Sequence, residues 1–202
     1  MLYNGLVNRF TKGVLMDIKH LKEDMVSSEF LYDGKVVKLY RDIVSLPNGE
    51  KSVREYIKHV GAVCVVPVTN DGEIVCVRQY RYSVSQVLLE IPAGKLDSAE
   101  EDPVSAALRE LREETGATCK ELVSLGIYYG SPAIMGEKIY MYLAKGLEFG
   151  DMDLDEDEFL ECIKIPAKEL EDMIYSGDVT DGKTQSAVLK ALHILRKDCM
   201  DL

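Results

Sequence analysis

The chain has 202 residues, of which 47% are hydrophobic and 29% are charged, and this composition is ordinary for a globular protein with one sizeable core. Its formal net charge of −11 at pH 7 argues against a nucleic-acid-binding surface, which would need a basic patch. No apolar run approaches the roughly 18 residues of a membrane span, and residues 1–16 lack the apolar segment of a secretion signal.

Cysteine and histidine usage narrows the chemistry further. The five cysteines are scattered, odd in number and without a Cys-x-x-Cys pair. This distribution favours buried or inert thiols in a reducing compartment, so we expect a cytoplasmic protein. None of the three histidines lies near another ligand at metal spacing, and we therefore expect no zinc site.

Residues 1–58 are expected to form an N-terminal extension and a small β-sheet, with the main domain in residues 59–202. Residues 1–26 are weakly patterned and fit either an extension or a short helix around Met16–Met25. The strands predicted beyond them are Glu29–Tyr32, Val36–Ser45 and Ser52–Lys58. Three strands bury too little surface to be stable alone, so this sheet should pack on the main domain or on a second subunit.

The main domain opens with two apolar runs, Gly61–Val68 and Glu73–Gln79, around an Asn-Asp-Gly turn that predicts a hairpin. The following segment, Arg-Gln-Tyr-Arg-Tyr at 78–82, has two readings. The tyrosines could pack with snorkelled arginines, or the cluster could bind a nucleoside diphosphate through arginine forks and tyrosine faces. Val87–Ile91 reads as the next strand and leads to Pro92-Ala93-Gly94.

A short helix is predicted from residue 103 to 115. Asp102 occupies the N-cap position, Pro103 the first helical position, and Gly116 the position just past the end. Val104, Ala107, Leu108 and Leu111 recur at i, i+3, i+4 and i+7, which predicts one buried stripe.

On another face of this helix, Glu110 has Glu113 at i+3 and Glu114 at i+4, so helical spacing gathers three carboxylates. Like charges placed this way repel by a few tenths of a kcal/mol per pair. A hard divalent cation would turn the repulsion into binding, with Mg²⁺ or Mn²⁺ the natural candidates. A solvated acidic face is the alternative interpretation.

The stretch from Gly94 to Ala117 resembles the Nudix box, G-x5-E-x7-R-E-U-x-E-E-x-G-U, in which U is apolar. The matching residues are Gly94, Glu101, Arg109, Glu110, Leu111, Glu113, Glu114, Gly116 and Ala117. Six residues, not five, separate Gly94 from Glu101, which leaves Glu100 or Glu101 in the first-glutamate role. Glu101 is preferred because its spacing to Arg109 is the family's.

The resemblance implies a fold and an assembly. It predicts an α+β protein with the Nudix α/β/α sandwich and its mixed sheet, plus an N-terminal antiparallel sheet that mediates homodimerisation. The remaining pattern fits that fold. It gives strands at Val123–Tyr128, at Lys138–Ala144 and in a segment that ends at Ile165, and helices at Pro166–Tyr175 and Thr184–Lys197.

Two later loops resemble the ADP-ribose pyrophosphatase branch of the family. Pro132 lies sixteen residues beyond Gly116 and is followed by Glu137, although Ala133 stands where the branch commonly has glycine. Residues 151–161 form an acidic run that by itself reads as a solvated loop. The branch carries a glutamate there that helps activate the attacking water, and Glu156 is the first choice, with Glu158 next.

The resemblance also assigns roles to individual residues. It implies a Mg²⁺ site, with Mn²⁺ as a substitute, formed by the Ala93 carbonyl and by Glu101, Glu110, Glu113 and Glu114. Arg109 can reach Glu113 at i+4 and orient it. The predicted catalytic residues are Glu156, Glu113 and Arg109, and the predicted substrate-binding residues are Arg54, Arg81, Tyr82 and Glu137.

The function that these residues imply is Mg²⁺-dependent hydrolysis of ADP-ribose to AMP and ribose 5-phosphate. The cation also explains how an acidic protein could bind an anionic substrate. Two alternatives stay open: a pyrophosphatase for another nucleoside diphosphate sugar such as GDP-mannose, and a sensor that binds ADP-ribose without hydrolysing it. The intact set of glutamates and the absence of a basic recognition segment disfavour the sensor.

Overall fold

The computed structural model describes residues 19–154, 156 and 158–200. They form two compact units. The first contains the residues up to His59 together with Ser131–Gly136, and the second contains Val60–Gly130 and the residues from Glu137 onward. Within the described residues the chain forms twelve strands and three α-helices.

The first unit is a three-stranded antiparallel sheet in the order β1-β2-β3. Its strands are β1 (Asp24–Asp33), β2 (Lys38–Ser45) and β3 (Lys51–Lys58). Residues 131–136 join it because the Ile57 amide donates to the Ile134 carbonyl at 2.8 Å and the Gly136 amide donates to the Ile57 carbonyl at 3.0 Å.

The prediction of a short helix around Met16–Met25 is wrong for residues 19–25, which the structure describes. Lys19–Leu21 make a single 3₁₀ turn, and Asp24 and Met25 already belong to β1, while residues 16–18 lie outside the described residues. β1 therefore begins five residues before the predicted Glu29, because its pairing with β2 extends to Asp24↔Ser45. The other two predicted strands of this sheet are confirmed.

The second unit contains two larger sheets and a short pair. The mixed sheet has the order β7-β4-β10-β9, with β4 parallel to β10, and consists of β4 (Ala62–Pro67), β7 (Ala93–Lys95), β9 (Glu121–Tyr128) and β10 (Ile139–Lys145). The antiparallel sheet has the order β12-β5-β6 and consists of β5 (Glu73–Arg81), β6 (Gln86–Glu90) and β12 (Leu160–Pro166). The short pair is β8 (Ala117–Thr118) with β11 (Glu148–Phe149).

The predicted hairpin between β4 and β5 is only partly correct. The turn forms, since the Gly72 amide donates to the Thr69 carbonyl at 3.1 Å. Pairing beyond it is limited to one isolated antiparallel bridge between Val68 and Ile74. Past that bridge the strands enter different sheets, because each pairs with strands from distant parts of the chain.

Of the three helices, α1 (Pro103–Thr115) and α3 (Gly182–Met200) pack on the mixed sheet, whereas α2 (Ala167–Ser176) packs on β5, β12 and α3. Alternate residues of β4 explain the layering. Val63 and Val65 pack with Leu111 of α1, whereas Cys64 and Val66 belong to the core that contains the buried face of α3. β4 is thus buried on both faces, which explains its continuous apolar run. The predicted α+β sandwich is confirmed.

No helix in the described part of the chain combines the length and the apolar character needed to cross a membrane.

The buried stripe predicted for α1 needs correction. Val104 and Leu108 are 44% and 42% exposed, so they do not belong to the core. The buried face is instead formed by Ala106, Ala107, Glu110, Leu111, Glu114 and Thr115. Two of the three gathered carboxylates therefore share the buried face with the apolar residues, where the sequence pattern had placed them on another face.

Both ends of α1 are as predicted. The Asp102 side chain accepts a hydrogen bond from the Ser105 amide at 3.0 Å, and Pro103 begins the helix. Gly116 ends it in the left-handed conformation, with φ of 67°. A Cβ on Gly116 would lie 2.3 Å from the backbone oxygen of Gly150, so two constraints require glycine here.

We predict that Gly116→Ala destabilises the protein far more than the matched change Gly177→Ala. Gly177 ends α2 in the same left-handed conformation but has no atom within 4 Å of an added Cβ. The control should therefore cost only the conformational strain, about 1–2 kcal/mol. Gly116→Ala should cost about 1–3 kcal/mol more because of the backbone overlap. Urea unfolding of both variants tests this, and equal losses would contradict it.

Candidate active site

A cavity of about 740 Å³ lies in the second unit beside α1 and β7. Charged side chains dominate its wall. They are Arg81, Lys95, Asp97, Arg109, Glu110, Glu114, Glu137, Glu158, Asp181 and Lys183. A cavity of this volume can enclose a ligand of nucleotide size.

Two carboxylates of α1, Glu110 and Glu114, stand one helical turn apart on this wall and are 7% and 2% exposed. Burial raises the pKa of Glu110 to about 7, despite the opposing charge of Arg109. Burial also raises the pKa of Glu114 to about 8, opposed by a hydrogen bond from the Ala93 amide at 3.0 Å. Each carboxylate is thus desolvated beyond what its protein partners compensate.

Arg109 ties the acidic cluster together. Its Nη1 donates to Glu110 at 2.8 Å and to Glu113 at 3.0 Å, and its Nη2 donates to the Lys95 carbonyl at 3.1 Å. The Glu113 contact is the i+4 contact expected from the sequence. Arg109 Nε is buried and has no hydrogen-bond partner among the described residues, and the Glu101 carboxylate lies 3.5 Å from it.

The geometry favours Glu101 over Glu100 as the first glutamate of the motif. The Glu101 side chain is 17% exposed beside Arg109, and it accepts a hydrogen bond from the Asp97 amide at 2.5 Å. Glu100, in contrast, is exposed. The added loop residue therefore leaves the Glu101–Arg109 contact in place.

Gly94 leaves the space that the Glu110 carboxylate occupies. A Cβ on Gly94 would lie 2.0 Å from Glu110 Oε1, so any side chain here would displace the carboxylate. The glycine of the motif is thus explained by a close approach and not by backbone strain.

The residues present fit a hard divalent cation. Within the described residues no three Asp, Glu, His or Cys side chains already converge as a complete metal site. Glu110 and Glu114 use Arg109 and Ala93 as partners and remain incompletely compensated, as their raised pKa values indicate. Carboxylate oxygens are the ligands that Mg²⁺ and Mn²⁺ prefer. The metal-binding role of the Ala93 carbonyl stays a prediction.

The structure brings some of the predicted substrate-binding residues to the cavity and not others. Arg81 and Glu137 line it. Tyr82 is 87% exposed and is not among the lining residues. Arg54 belongs to the first unit, where its Nε donates to Glu23 at 2.9 Å. The roles of all four residues stay predictions.

For the acidic loop, the geometry favours the second choice, Glu158. Glu158 lines the cavity, and its charge contributes to the raised pKa values of Glu110 and Glu114. Glu156 is exposed in a turn and is not among the lining residues. The reason lies in strand pairing: β12 begins at Leu160 opposite Gln79, which itself lines the cavity, so the loop residue just before β12 is held close to it.

Sequence reasoning missed a buried ionic network beside Arg81. Arg81 Nε and Nη2 donate to the two oxygens of Glu90 at 2.7 Å each, and Lys183 Nζ donates to the same carboxylate. Lys183 also pairs with Asp181 at 3.1 Å. Burial alone would raise the pKa of Glu90, but Arg81 and Lys183 hold the pKa of this carboxyl below its usual value. The available signal was a charged residue in the apolar strand Val-Leu-Leu-Glu-Ile.

Comparison with known proteins identifies the family of this chain. A family model described as NUDIX domain matches residues 58–183. The chain is 42% identical over 173 residues to ADP-ribose pyrophosphatase of Bacillus subtilis (strain 168), an alignment that covers 85% of this chain and 93% of that protein. It is 43% identical over 172 residues to the methanol dehydrogenase activator of Bacillus methanolicus, with 84% and 92% covered.

A crystal structure described as that of an ADP compounds hydrolase has the same fold. It superposes with a TM-score of 0.77 at 22% sequence identity, and the match covers 88% of this chain and 96% of that one.

We predict that Gly94→Ala weakens divalent-cation binding without unfolding the protein. The added methyl group must push the Glu110 carboxylate aside, and displaced supporting contacts typically cost about 10- to 100-fold in metal affinity. Gly150→Ala is the control, because its Cβ would meet its nearest atom at an ordinary 3.6 Å. Calorimetric titration with Mn²⁺ measures both variants. Unchanged affinity in Gly94→Ala would show that Glu110 does not hold the cation.

Proposed function

This chain belongs to the NUDIX family, and from that premise we propose that it hydrolyses ADP-ribose to AMP and ribose 5-phosphate with a divalent cation, by preference Mg²⁺. One observation carries the proposal: the buried carboxylates of Glu110 and Glu114 face a cavity that also presents Arg81 and Lys183. Such a wall suits a diphosphate bridged to carboxylates by a cation. Similarity to the B. subtilis ADP-ribose pyrophosphatase over most of both chains supports the substrate.

Within this proposal, Glu110, Glu113 and Glu114 would hold the cation, the Ala93 carbonyl would be a backbone ligand, and Glu101 would be an outer contact. When bound, such a cation neutralises charge on the phosphoryl oxygens and makes water a better nucleophile. Arg109 orients the carboxylates, as its hydrogen bonds to Glu110 and Glu113 support. Mn²⁺ should substitute for Mg²⁺, because both are hard cations that take oxygen ligands.

The proton of the attacking water goes to a carboxylate of the acidic loop. Glu158 is our choice for this general base, because it lines the cavity and Glu156 is exposed. Arg81 and Glu137 are proposed to contact substrate from the cavity wall. Arg54 and Tyr82 are proposed as further substrate contacts on the strength of the motif resemblance alone.

We further propose that residues 1–58 mediate homodimerisation and that the protein acts in the cytoplasm. Several apolar side chains of the first unit are about half exposed or more, which suits a buried interface. They are Met25, Val26, Phe30, Tyr32, Val36 and Val53. A monomeric mass by light scattering at micromolar concentration would contradict the dimer.

The described cysteines Cys64, Cys76, Cys119 and Cys162 are thiols, which supports the proposed cytoplasmic location because a reducing compartment favours thiols.

Product analysis tests the proposed reaction. Purified protein incubated with ADP-ribose and Mg²⁺ should release AMP and ribose 5-phosphate in equal amounts, because water breaks one P–O bond of the P–O–P linkage and leaves one phosphate on each half. EDTA should abolish the reaction, and Mn²⁺ should restore it. Chromatography with phosphate-sensitive detection measures the products.

A panel of nucleoside diphosphate sugars assayed beside ADP-ribose serves as the control for specificity. Faster cleavage of GDP-mannose would replace ADP-ribose as the substrate. Tight binding of ADP-ribose without any product in the presence of Mg²⁺ would identify a sensor and reject the hydrolase.

The general base is tested by comparing Glu158→Gln with Glu156→Gln. If Glu158 accepts the proton, Glu158→Gln should lower kcat by about 10²- to 10⁴-fold. Mg²⁺ affinity should change little, and Glu156→Gln should behave like the wild type. The two residues sit in the same loop, so the second variant controls for loop disturbance. The reverse result would return the role to Glu156, as the sequence first indicated.

A further inference from the structure

Beside the cavity, one almost completely buried carboxylate carries two cations. Glu90, at the end of β6, is 1% exposed. Its two oxygens accept the Arg81 fork, with both hydrogen bonds at 2.7 Å, and one of the oxygens also accepts from Lys183. Arg81 and Lys183 both line the cavity. Glu90 is therefore the point that fixes where these two cationic groups stand.

We propose that Glu90 is a positioning residue that holds the Arg81 guanidinium and the Lys183 ammonium together at the cavity wall as a binding site for the diphosphate, independent of the metal. The choice of a diphosphate ligand rests on the proposed function. The positioning role itself rests on the contacts among Glu90, Arg81 and Lys183, none of which belongs to the sequence motif of residues 94–117.

The two cations are held on the wall from separate parts of the fold. Arg81 ends β5, and Lys183 lies in the first turn of α3. Asp181 also pairs with Lys183, at 3.1 Å, and accepts a hydrogen bond from the Thr184 amide at 2.9 Å. Thr184 Oγ1 in turn accepts from the Ile91 amide at 3.0 Å, next to Glu90 in the chain. The start of α3 is thus tied to the end of β6.

The Arg81 guanidinium has N–H groups left that could bind a ligand. Arginine has five N–H groups, and the fork to Glu90 uses Nε and Nη2, so Nη1 carries donors that an oxyanion could accept. Planar bidentate anchoring on a buried carboxylate also fixes the plane in which those donors lie. Lys183 adds a compact point charge, which suits a phosphoryl oxygen.

Stability alone is a poor reason for this network. Desolvating a buried ion pair costs several kcal/mol per ion, and apolar replacements of similar volume are often neutral or stabilising. The second arginine of the cavity wall, Arg109, already donates hydrogen bonds to Glu110 and Glu113. The other cations of the wall are Arg81, Lys183 and Lys95. Glu90 and Asp181 offset the formal charge of the first two, so Arg81 and Lys183 would bind an anion through the N–H groups that these carboxylates leave unused.

The test uses inorganic pyrophosphate as the probe in EDTA, so that neither a metal nor a nucleoside contributes. Calorimetry should show that the wild type binds pyrophosphate and that Glu90→Gln binds it about tenfold more weakly, a loss of about 1.4 kcal/mol. Glu171→Gln is the matched control, because Glu171 is also buried, at 6% exposure, and pairs with Arg196 away from the cavity lining. It should bind like the wild type.

Steady-state kinetics with ADP-ribose and Mg²⁺ give the second readout. Removing ground-state binding should raise KM about tenfold in Glu90→Gln and leave kcat within about twofold. If Glu90→Gln does not fold, Glu90→Asp keeps the charge but shortens the reach to the two cations, and it should lose pyrophosphate affinity severalfold.

Equal pyrophosphate affinity in the wild type and the Glu90 variant would overturn the proposal, and so would a wild type that binds no pyrophosphate in EDTA. A fall in kcat at unchanged KM would overturn it as well. Failure to release AMP from ADP-ribose would instead contradict the proposed substrate. It would leave the conclusion from pyrophosphate binding unchanged.

Discussion

The candidate active site depends on two carboxylates, Glu110 and Glu114, that are buried on the same helix face as the apolar residues Ala107 and Leu111. Taking an ionised carboxylate out of water costs several kcal/mol unless partners compensate. Here Arg109 and the Ala93 amide compensate in part, and burial still raises both pKa values. A face of this kind is stable in the protein only because the rest of the fold holds it, and a divalent cation suits it chemically.

The surrounding elements can be understood as the support for that face. β4 lies between α1 and α3, and its alternating residues pack each helix against one side of the sheet. Asp102 caps the start of α1, and Gly116 ends it where a larger residue would collide with Gly150. Gly94 leaves room for the Glu110 carboxylate. Each of these constraints fixes where the carboxylates meet the cavity.

The ends of α1 and the clustering of its glutamates could be predicted from the sequence. Asp102, Pro103 and Gly116 predicted both ends of α1, because capping and left-handed conformation are properties of single residues. The spacing of Glu110, Glu113 and Glu114 predicted their clustering for a similar reason. Contacts that depend on tertiary packing were not readable. Periodicity alone assigned Val104 and Leu108 to the core, since it does not show which side of a helix the sheet will cover.

Longer-range pairings were further out of reach. Glu90 and Lys183 are 93 residues apart in the chain and meet only because β6 and the start of α3 come together. The choice between Glu156 and Glu158 likewise depended on the pairing of β12 with β5, which sets the residue at which the acidic loop reaches the cavity. In both cases the residue types signalled importance, and only the fold could supply the neighbours.

The most direct measurement is the anomalous scattering of crystals grown with Mn²⁺. We predict a single strong peak, or a close group of peaks, in the cavity within coordination distance of the Glu110 and Glu114 carboxylates. A cavity without such a peak, with Glu110 still bound to Arg109 and Glu114 still bound to the Ala93 amide, would contradict it.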